Sequence, residues 1–214
     1  MSRQGAFLTT RIIRRIRSLV PETPPSLEFP AEKWDEEYRS GNWDYLGGVQ
    51  EVPRYSVVAG YVGYFNDRSR ILEIGCGTAI LLRYIRHLDF THYRGVDISG
   101  AAIEIASKLV DDRINFAVSC GSSYNDGSQY DIVVMNEALY YFDDCIKVLE
   151  HYRAQLRPNG RIIISMVVGP QSIRHWKAIE ARYELEGGVR ITGRSGHVWT
   201  CNVLAPFPSS GSGR

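Results

Sequence analysis

A chain of 214 residues, of which 44% are hydrophobic and 23% charged, has the composition of one globular domain rather than of a disordered or collagen-like chain. Its longest nearly uninterrupted apolar stretch, residues 56–65, is much shorter than the roughly 18 residues that span a bilayer. The formal net charge of +1 gives no overall electrostatic attraction to nucleic acid. Four widely spaced cysteines, without a C-x-x-C pair, predict neither a disulfide framework nor a metal site and suit a reducing cytoplasm.

The first twenty residues contain five arginines and no acidic residue. Apolar residues recur between the arginines at near-helical spacing, which predicts a basic amphipathic helix. Such a helix suits weak contact with an anionic membrane or an organelle-targeting role, but a helix docked on its own domain or a poorly ordered terminus gives the same pattern. Residues 1–30 are therefore predicted to be an N-terminal extension that ends in a proline-rich linker.

Residues 31–66, the aromatic cap, are rich in tryptophan and tyrosine and are interrupted by glycines, which predicts two or three short helices. Residues 67–205 then alternate apolar, β-branched runs with helical stretches, and residues 206–214 form a flexible tail. The predicted strands are 71–74, 93–98, 114–118, 131–135, 161–168, 189–193 and 197–204. The predicted helices are 79–87, 101–109, 145–156 and 172–185. This order indicates an α/β fold with a doubly wound, mostly parallel seven-stranded sheet and an antiparallel C-terminal hairpin.

A glycine-rich turn follows the first predicted strand and precedes a helix, an arrangement that lets a ligand approach the backbone closely. A dinucleotide-binding oxidoreductase uses the same device, but Ile80 replaces the third glycine of that motif. Glu73, just before the turn, would repel phosphate and attract an ammonium group. Asp97 ends the second strand, where it is placed to accept hydrogen bonds from ribose hydroxyls. The pattern describes a cationic nucleoside ligand without phosphates.

Four segments resemble the motifs of the class I S-adenosylmethionine-dependent methyltransferases: residues 73–78, 95–99, 130–137 and 156–160. The resemblance covers about residues 68–168 and implies S-adenosylmethionine as the cofactor. It implies that Gly75 and Gly77 pass under the methionine moiety, that Glu73 supports its ammonium group and that Asp97 holds the ribose. The other residues expected to bind the cofactor are Cys76, Ile98, Ser122, Asn136 and Trp43.

One departure from the family concerns the adenine contact. The family commonly has an acidic residue just after the third strand, whereas this chain has Ser-Cys-Gly-Ser at residues 119–122. Backbone carbonyls, Ser122 or Asp126 are the candidate replacements. Cys76 and Cys120 are interpreted as small packing residues rather than nucleophiles, because no histidine is near them in sequence.

Glu137 and Tyr140 follow the fourth strand, at the edge of the sheet where ligands bind, and are the candidate catalytic residues. Glu137 is placed to accept a proton from a hydroxyl or amine, or it merely charges the start of a helix with Tyr140 half-buried beside it. The Asn-Pro-Pro-Tyr type of motif that resembles amino-directed DNA methyltransferases is missing, so nucleic acid is not the expected acceptor. His151 is expected on a helix surface, and His175 and His197 lie near the predicted acceptor region.

The pattern of Trp34, Tyr38 and Trp43 in the aromatic cap, together with Asp44, Arg54 and Tyr55, is similar to the N-terminal lid of small-molecule methyltransferases. Aromatic faces attract a sulfonium cation, although the rings also suit simple coverage of the sheet. The expected function is methyl transfer to an oxygen or nitrogen of a small molecule, such as a sugar or another biosynthetic intermediate. The alternatives are a non-catalytic protein of the same fold with a membrane or assembly role, and a dinucleotide-binding oxidoreductase.

Overall fold

The computed structural model describes residues 30–205. The predicted basic helix of residues 1–20, most of the proline-rich linker and the predicted tail lie outside the described residues. None of the described helices is long and apolar enough to cross a membrane.

Seven strands form one sheet in the order β3-β2-β1-β4-β5-β7-β6. They are β1 (Arg70–Ile74), β2 (His92–Asp97), β3 (Ile114–Val118), β4 (Tyr130–Asn136), β5 (Leu156–Val167), β6 (Leu185–Thr192) and β7 (Val198–Leu204). Strand β7 runs antiparallel to both of its neighbours, and the other paired strands are parallel. The predicted fold class is confirmed. The strand order reverses at β1 and β4, so the carboxyl ends of these strands flank the crevice where such folds bind ligands.

Within residues 30–205, six α-helices flank the sheet: α1 (Ala31–Arg39), α2 (Val52–Phe65), α3 (Leu82–Ile85), α4 (Gly100–Ala106), α5 (Cys145–Arg153) and α6 (Pro170–Glu180). Alternate strand residues face opposite layers of the core: Ile132 packs towards α2, α3 and α4, whereas Val133 packs towards α5 and α6. A 3₁₀ turn (Asp44–Gly47) links α1 to α2. The sheet is thus covered on both faces, as a mostly parallel sheet requires.

The helix predicted at 79–87 is shorter in the structure, where α3 covers only Leu82–Ile85. Ala79 has a φ angle of 59°, in the left-handed region, so a right-handed helix cannot begin there. The glycine turn therefore continues for several residues before the helix starts.

The helix predicted at 145–156 also ends early, because residue 156 already pairs with Tyr130 of β4. Strand β5 consequently begins five residues before the predicted start at 161. Asn159, with a φ angle of 64°, accompanies a register shift within this strand rather than a separate turn before it. The helix predicted at 172–185 ends at Glu180 for the same reason, since Leu185 pairs with Leu204 and starts β6.

Candidate active site

A cavity of about 630 Å³ lies at the carboxyl ends of β1, β2 and β4. All the residues that the sequence predicts for the site line this cavity, although they come from five separate segments of the chain. They are Trp43, Glu73, Gly75, Cys76, Gly77, Asp97, Ile98, Ser122, Asn136, Glu137 and Tyr140.

The turn after β1 has space only for glycine at two positions. Gly75 and Gly77 have φ angles of 71° and 53°, in the region that favours glycine. A Cβ atom on Gly75 would lie 2.6 Å from the Cβ atom of Ala138, and one on Gly77 would lie 2.6 Å from the hydroxyl of Tyr38. The turn leaves its main chain accessible to a ligand in the cavity, which a side chain at either position would obstruct.

Backbone N–H groups hold the carboxylate of Asp97 in place at the end of β2. The N–H of Gly77 donates to one oxygen at 2.8 Å, and the N–H of Ser99 donates to the other at 2.9 Å. Asp97 is 9% exposed, and burial raises the pKa of its carboxyl although these hydrogen bonds oppose the rise. A carboxylate that is fixed in this way, with Ile98 beside it in the cavity wall, suits a pair of hydroxyl groups.

Glu73 is buried beneath the glycine turn and accepts a hydrogen bond from the hydroxyl of Tyr93. Burial raises the pKa of Glu73 to about 8, against the opposing effects of Tyr93 and the charge of Arg54. A cation beside such a carboxyl is strongly favoured, because it offsets the cost of the buried negative charge. Burial also raises the pKa of the Cys76 thiol, which fits a packing residue better than a nucleophile.

The segment after β3 forms one end of the cavity, where Ser122 Oγ lies 3.1 Å from Cys120 Sγ. Asp126 does not reach this end. Its carboxylate instead accepts hydrogen bonds from the hydroxyls of Tyr124 at 3.1 Å and Tyr130 at 2.8 Å. Of the three candidate replacements, Asp126 does not line the cavity, and Ser122 and the backbone carbonyls remain as candidates.

The three histidines near the site lie in different places. His151 lines the cavity and its Nε2 lies 2.8 Å from the carbonyl oxygen of Tyr124, so its expected place on a helix surface is wrong. His197 also lines the cavity, whereas His175 is buried in α6 away from it.

Glu137 connects the ends of β4 and β5. One of its carboxylate oxygens accepts a hydrogen bond from Ser165 Oγ at 3.0 Å, and the other accepts from the N–H of Val167 at 3.0 Å and the hydroxyl of Tyr140 at 3.3 Å. Its φ angle of 61° is unusual for a residue with a side chain and directs the carboxylate along this edge of the sheet. Burial raises the pKa of Glu137, although the charge of Arg54 and these hydrogen bonds oppose the rise. Glu137 is thus a carboxylate with increased affinity for a proton, in hydrogen-bond contact with Tyr140.

Arg54 on α2 is a buried cation in the cavity wall; the sequence places it with the lid pattern but gives it no chemical role. It is 1% exposed and donates to the Glu51 carboxylate at 2.9 Å and to Asn136 Oδ1 at 2.6 Å. Its guanidinium also lies 4.2 Å from the ring centroid of Tyr55. Arg54 thereby connects the aromatic cap to the end of β4, next to Glu137.

Aromatic rings from the cap form the upper wall of the cavity. The ring centroid of Trp43 lies 5.8 Å from that of Trp34, 6.2 Å from that of Tyr38 and 6.0 Å from that of Tyr45. Trp34 meets Tyr141, on the opposite wall, edge to face at 4.9 Å. The buried Nε1 of Trp43 has no hydrogen-bond partner within residues 30–205. The rings offer faces to a cation in the cavity, and Trp43 offers a donor.

Residues 45–199 match the sequence model of the methyltransferase domain family. The chain belongs to this family. The matched residues contain the glycine turn, Asp97 and Glu137, but they begin after α1 and Trp43.

Sequence similarity extends to the malonyl-[acyl-carrier protein] O-methyltransferase of Priestia megaterium, which is 30% identical over 104 residues. That alignment covers 48% of this chain and 38% of the relative, so the chain spans well under two thirds of the relative's length.

Two solved structures have the same fold. The Burkholderia thailandensis 1,6-didemethyltoxoflavin-N1-methyltransferase, with bound 1,6-didemethyltoxoflavin and S-adenosylhomocysteine, has a TM-score of 0.68 and 15% identity, covering 86% of this chain and 93% of that one. An N-methyltransferase from Bradyrhizobium japonicum in complex with S-adenosylhomocysteine has a TM-score of 0.64 and 16% identity, covering 77% of this chain and 91% of that one.

These comparisons confirm the predicted family, the class I S-adenosylmethionine-dependent methyltransferases, and with it S-adenosylmethionine as the cofactor. The alternative of a dinucleotide-binding oxidoreductase is not supported. The roles of the individual cavity residues stay predictions.

Proposed function

We propose that the protein transfers the methyl group of S-adenosylmethionine to an oxygen or nitrogen atom of a small molecule. The supporting observation is that one cavity joins the glycine turn and Asp97 to Glu137 and Tyr140. Its volume of about 630 Å³ lies in the range of roughly 300–1,000 Å³ that is usual for small-molecule sites. An acceptor carried on a larger molecule would therefore insert only its reactive end.

The residues of the first half of the cavity fit this cofactor. Asp97 is proposed to accept hydrogen bonds from two ribose hydroxyls, and Gly75 and Gly77, which line the cavity without a side chain, suit close contact with the methionine moiety. Glu73 supplies the buried carboxyl that an ammonium group stabilises, and the cap rings face a positive sulfur. When bound, S-adenosylmethionine supplies a methyl group that its sulfonium already activates.

The protein's own contribution is alignment, exclusion of water and acceptance of a proton. The cap rings and the end of β4 enclose the position where an acceptor meets the methyl group, which favours an in-line approach. Glu137 is proposed to take the proton that a hydroxyl or amine loses when it is methylated, with the hydroxyl of Tyr140, which also lines the cavity, hydrogen-bonded to it. A nitrogen that arrives without a proton to lose would need only the alignment.

The similar proteins include an O-methyltransferase and an N1-methyltransferase, so the acceptor panel contains both oxygen and nitrogen acceptors. The purified full chain is incubated with S-adenosylmethionine and malonyl-carrier protein, hydroxylated and amino-substituted heteroaromatics, sugars, and transfer RNA as a nucleic-acid control. Methylated product and S-adenosylhomocysteine are measured by mass spectrometry. We expect one small-molecule class to be methylated and the RNA to stay unmethylated. Methylation of the RNA alone, or a protein that neither binds the cofactor nor forms product, would contradict the proposal.

A further inference from the structure

None of the nine residues of helix α1 is fully buried, so the helix lies on the surface of the molecule. Besides its aromatic contacts, it is attached through Asp35. One of its carboxylate oxygens accepts hydrogen bonds from Ser99 Oγ at 2.6 Å and from the N–H of Ala101 at 3.0 Å. The other lies 3.3 Å from the guanidinium of Arg39 on the same helix. These contacts fix α1 against the start of α4.

The position of α1 determines how the cavity is covered. Trp34 and Tyr38, on either side of Asp35 in the sequence, both line the cavity. Tyr38 places its hydroxyl against Gly77, and Trp34 reaches across to the ring of Tyr141 on the opposite wall. A ligand that lies on the glycine turn is therefore enclosed by rings whose helix Asp35 holds in place.

The residue that binds Asp35 also contacts the predicted ribose site. Ser99 is fully buried; its N–H donates to Asp97 at 2.9 Å, and its hydroxyl donates to Asp35 while accepting from the N–H of Ala102 at 3.1 Å. Asp35 and Asp97 are thus held by the same serine, one through its side chain and one through its backbone. Movement of α1 away from Ser99 would remove one support of the segment that carries Asp97.

We propose that Asp35 is a positioning residue for the cofactor: its attachment to Ser99 and Ala101 holds Trp34 and Tyr38 over the bound nucleoside, without touching it. The proposal rests on the proposed function, because it requires the cofactor to bind in this cavity. Asp35 lies before residue 45, outside the segment that matches the methyltransferase domain family.

Loss of this attachment is expected mainly to increase the dissociation rate of the cofactor, because a cover that opens more often releases its ligand faster. Asp35→Ala loses the hydrogen bonds from Ser99 and Ala101 and should release S-adenosylhomocysteine at least about tenfold faster than the wild type, since the loss of one charge-assisted hydrogen bond already corresponds to about tenfold. Asp35→Asn keeps an oxygen acceptor and should lie between the two. With an acceptor in hand, the KM for S-adenosylmethionine should rise while kcat at saturation changes little.

The measurement is stopped-flow tryptophan fluorescence during displacement of S-adenosylhomocysteine from the full chain. Asp111→Ala is the matched control, because Asp111 also accepts a backbone N–H, from Arg113 at 2.9 Å, and pairs with an arginine, Arg86 at 2.9 Å, but does not line the cavity. The thermal unfolding midpoint of each ligand-free variant separates general destabilisation from a ligand effect. Faster release from both Asp35 variants but not from Asp111→Ala supports the proposal.

Equal release rates of S-adenosylhomocysteine for the wild type and both Asp35 variants would overturn the proposal that Asp35 is a positioning residue. The same increase of the release rate in Asp111→Ala would also overturn it. A wild-type protein that fails to bind S-adenosylhomocysteine would instead overturn the proposed function itself. The two failures are therefore distinguishable in one series of experiments.

Discussion

The two halves of the cavity are built in different ways. In the half proposed for the cofactor, one strand, one turn and the next strand form the wall, and Asp97 is fixed by main-chain N–H groups. On the acceptor side, side chains from distant segments meet: Arg54 of the cap reaches Asn136, and Glu137 reaches Ser165 and Val167. A half built mainly from backbone suits a ligand that stays the same, such as a cofactor. A half built from side chains of several segments can change its ligand specificity through few substitutions. The variants below test this difference.

The largest effect is expected for Glu137→Gln. Glutamine keeps an oxygen acceptor for the Val167 N–H but cannot accept a proton, so turnover should fall by about 10²–10⁴ while cofactor affinity is retained. Because burial raises the pKa of Glu137, the wild-type rate should fall as the pH decreases through that raised pKa, and the variant should lose this limb of the profile. Single-turnover rates across pH, with an acceptor from the panel, are the measurement.

Glu150→Gln is the control for this variant, because Glu150 also accepts a tyrosine hydroxyl, that of Tyr183 at 2.7 Å, but lies away from the cavity. Unchanged rates and an unchanged pH profile in Glu137→Gln would leave Glu137 a structural link between β4 and β5.

The next effect concerns stability on the acceptor side. Arg54→Met removes the partner of a buried Glu51 carboxylate, and breaking a buried ion pair in this way costs about 3–5 kcal/mol. Arg68→Met, at a pair whose side chains are 70% and 73% exposed, should cost less than about 1 kcal/mol. Urea unfolding of both variants gives the comparison. Similar small losses in the two would show that Arg54 is not a structural centre of the cavity wall.

A smaller effect is expected on the cofactor side, for Glu73→Gln. The folded-state pKa of Glu73, about 8, is above the usual value of 4.5, so its contribution to stability is present below pH 4.5 and is lost as the pH rises towards 8. The free energy of unfolding should therefore decrease over this window, by at most about 1.4 kcal/mol per pH unit from this group. Glu73→Gln should show a flatter dependence in urea titrations between pH 5 and 8.5. Identical slopes in variant and wild type would mean that Glu73 titrates normally.

The smallest effect is expected from deleting the predicted basic helix, which belongs to neither half of the cavity. We propose that residues 1–20 bind weakly to anionic vesicles, with about 1 kcal/mol from each basic residue close to the surface. Co-sedimentation should decrease steeply with added salt and disappear when residues 1–20 are deleted. Binding that ignores both changes would favour a terminus without a membrane role.

The sequence placed the glycine turn and Asp97 at one edge of the sheet because the determinants of this end of the cavity are local. A strand, two glycines and an acidic residue at the end of the next strand follow one another in order, and Asp97 meets Gly77 only twenty positions away. The acceptor side and the cap depend on contacts that no local pattern signals. Arg54 meets Asn136 across 82 positions, and Asp35 meets Ser99 across 64. The helix predicted from residue 79 failed for a related reason, since the left-handed conformation of Ala79 is imposed by the folded turn rather than by its own preference.

The most direct test of the account is a calorimetric titration of S-adenosylhomocysteine into the wild type and into Asp97→Ala, with NAD as the control ligand and circular dichroism to verify folding. The Asp97→Ala variant should lose charge-assisted hydrogen bonds to the ligand that are worth about 1.5–3 kcal/mol each. It should therefore bind S-adenosylhomocysteine at least tenfold more weakly than the wild type, and NAD should bind to neither protein. Equal affinity of the two proteins for S-adenosylhomocysteine, or binding of NAD in its place, would contradict the assignment of this cavity to the cofactor.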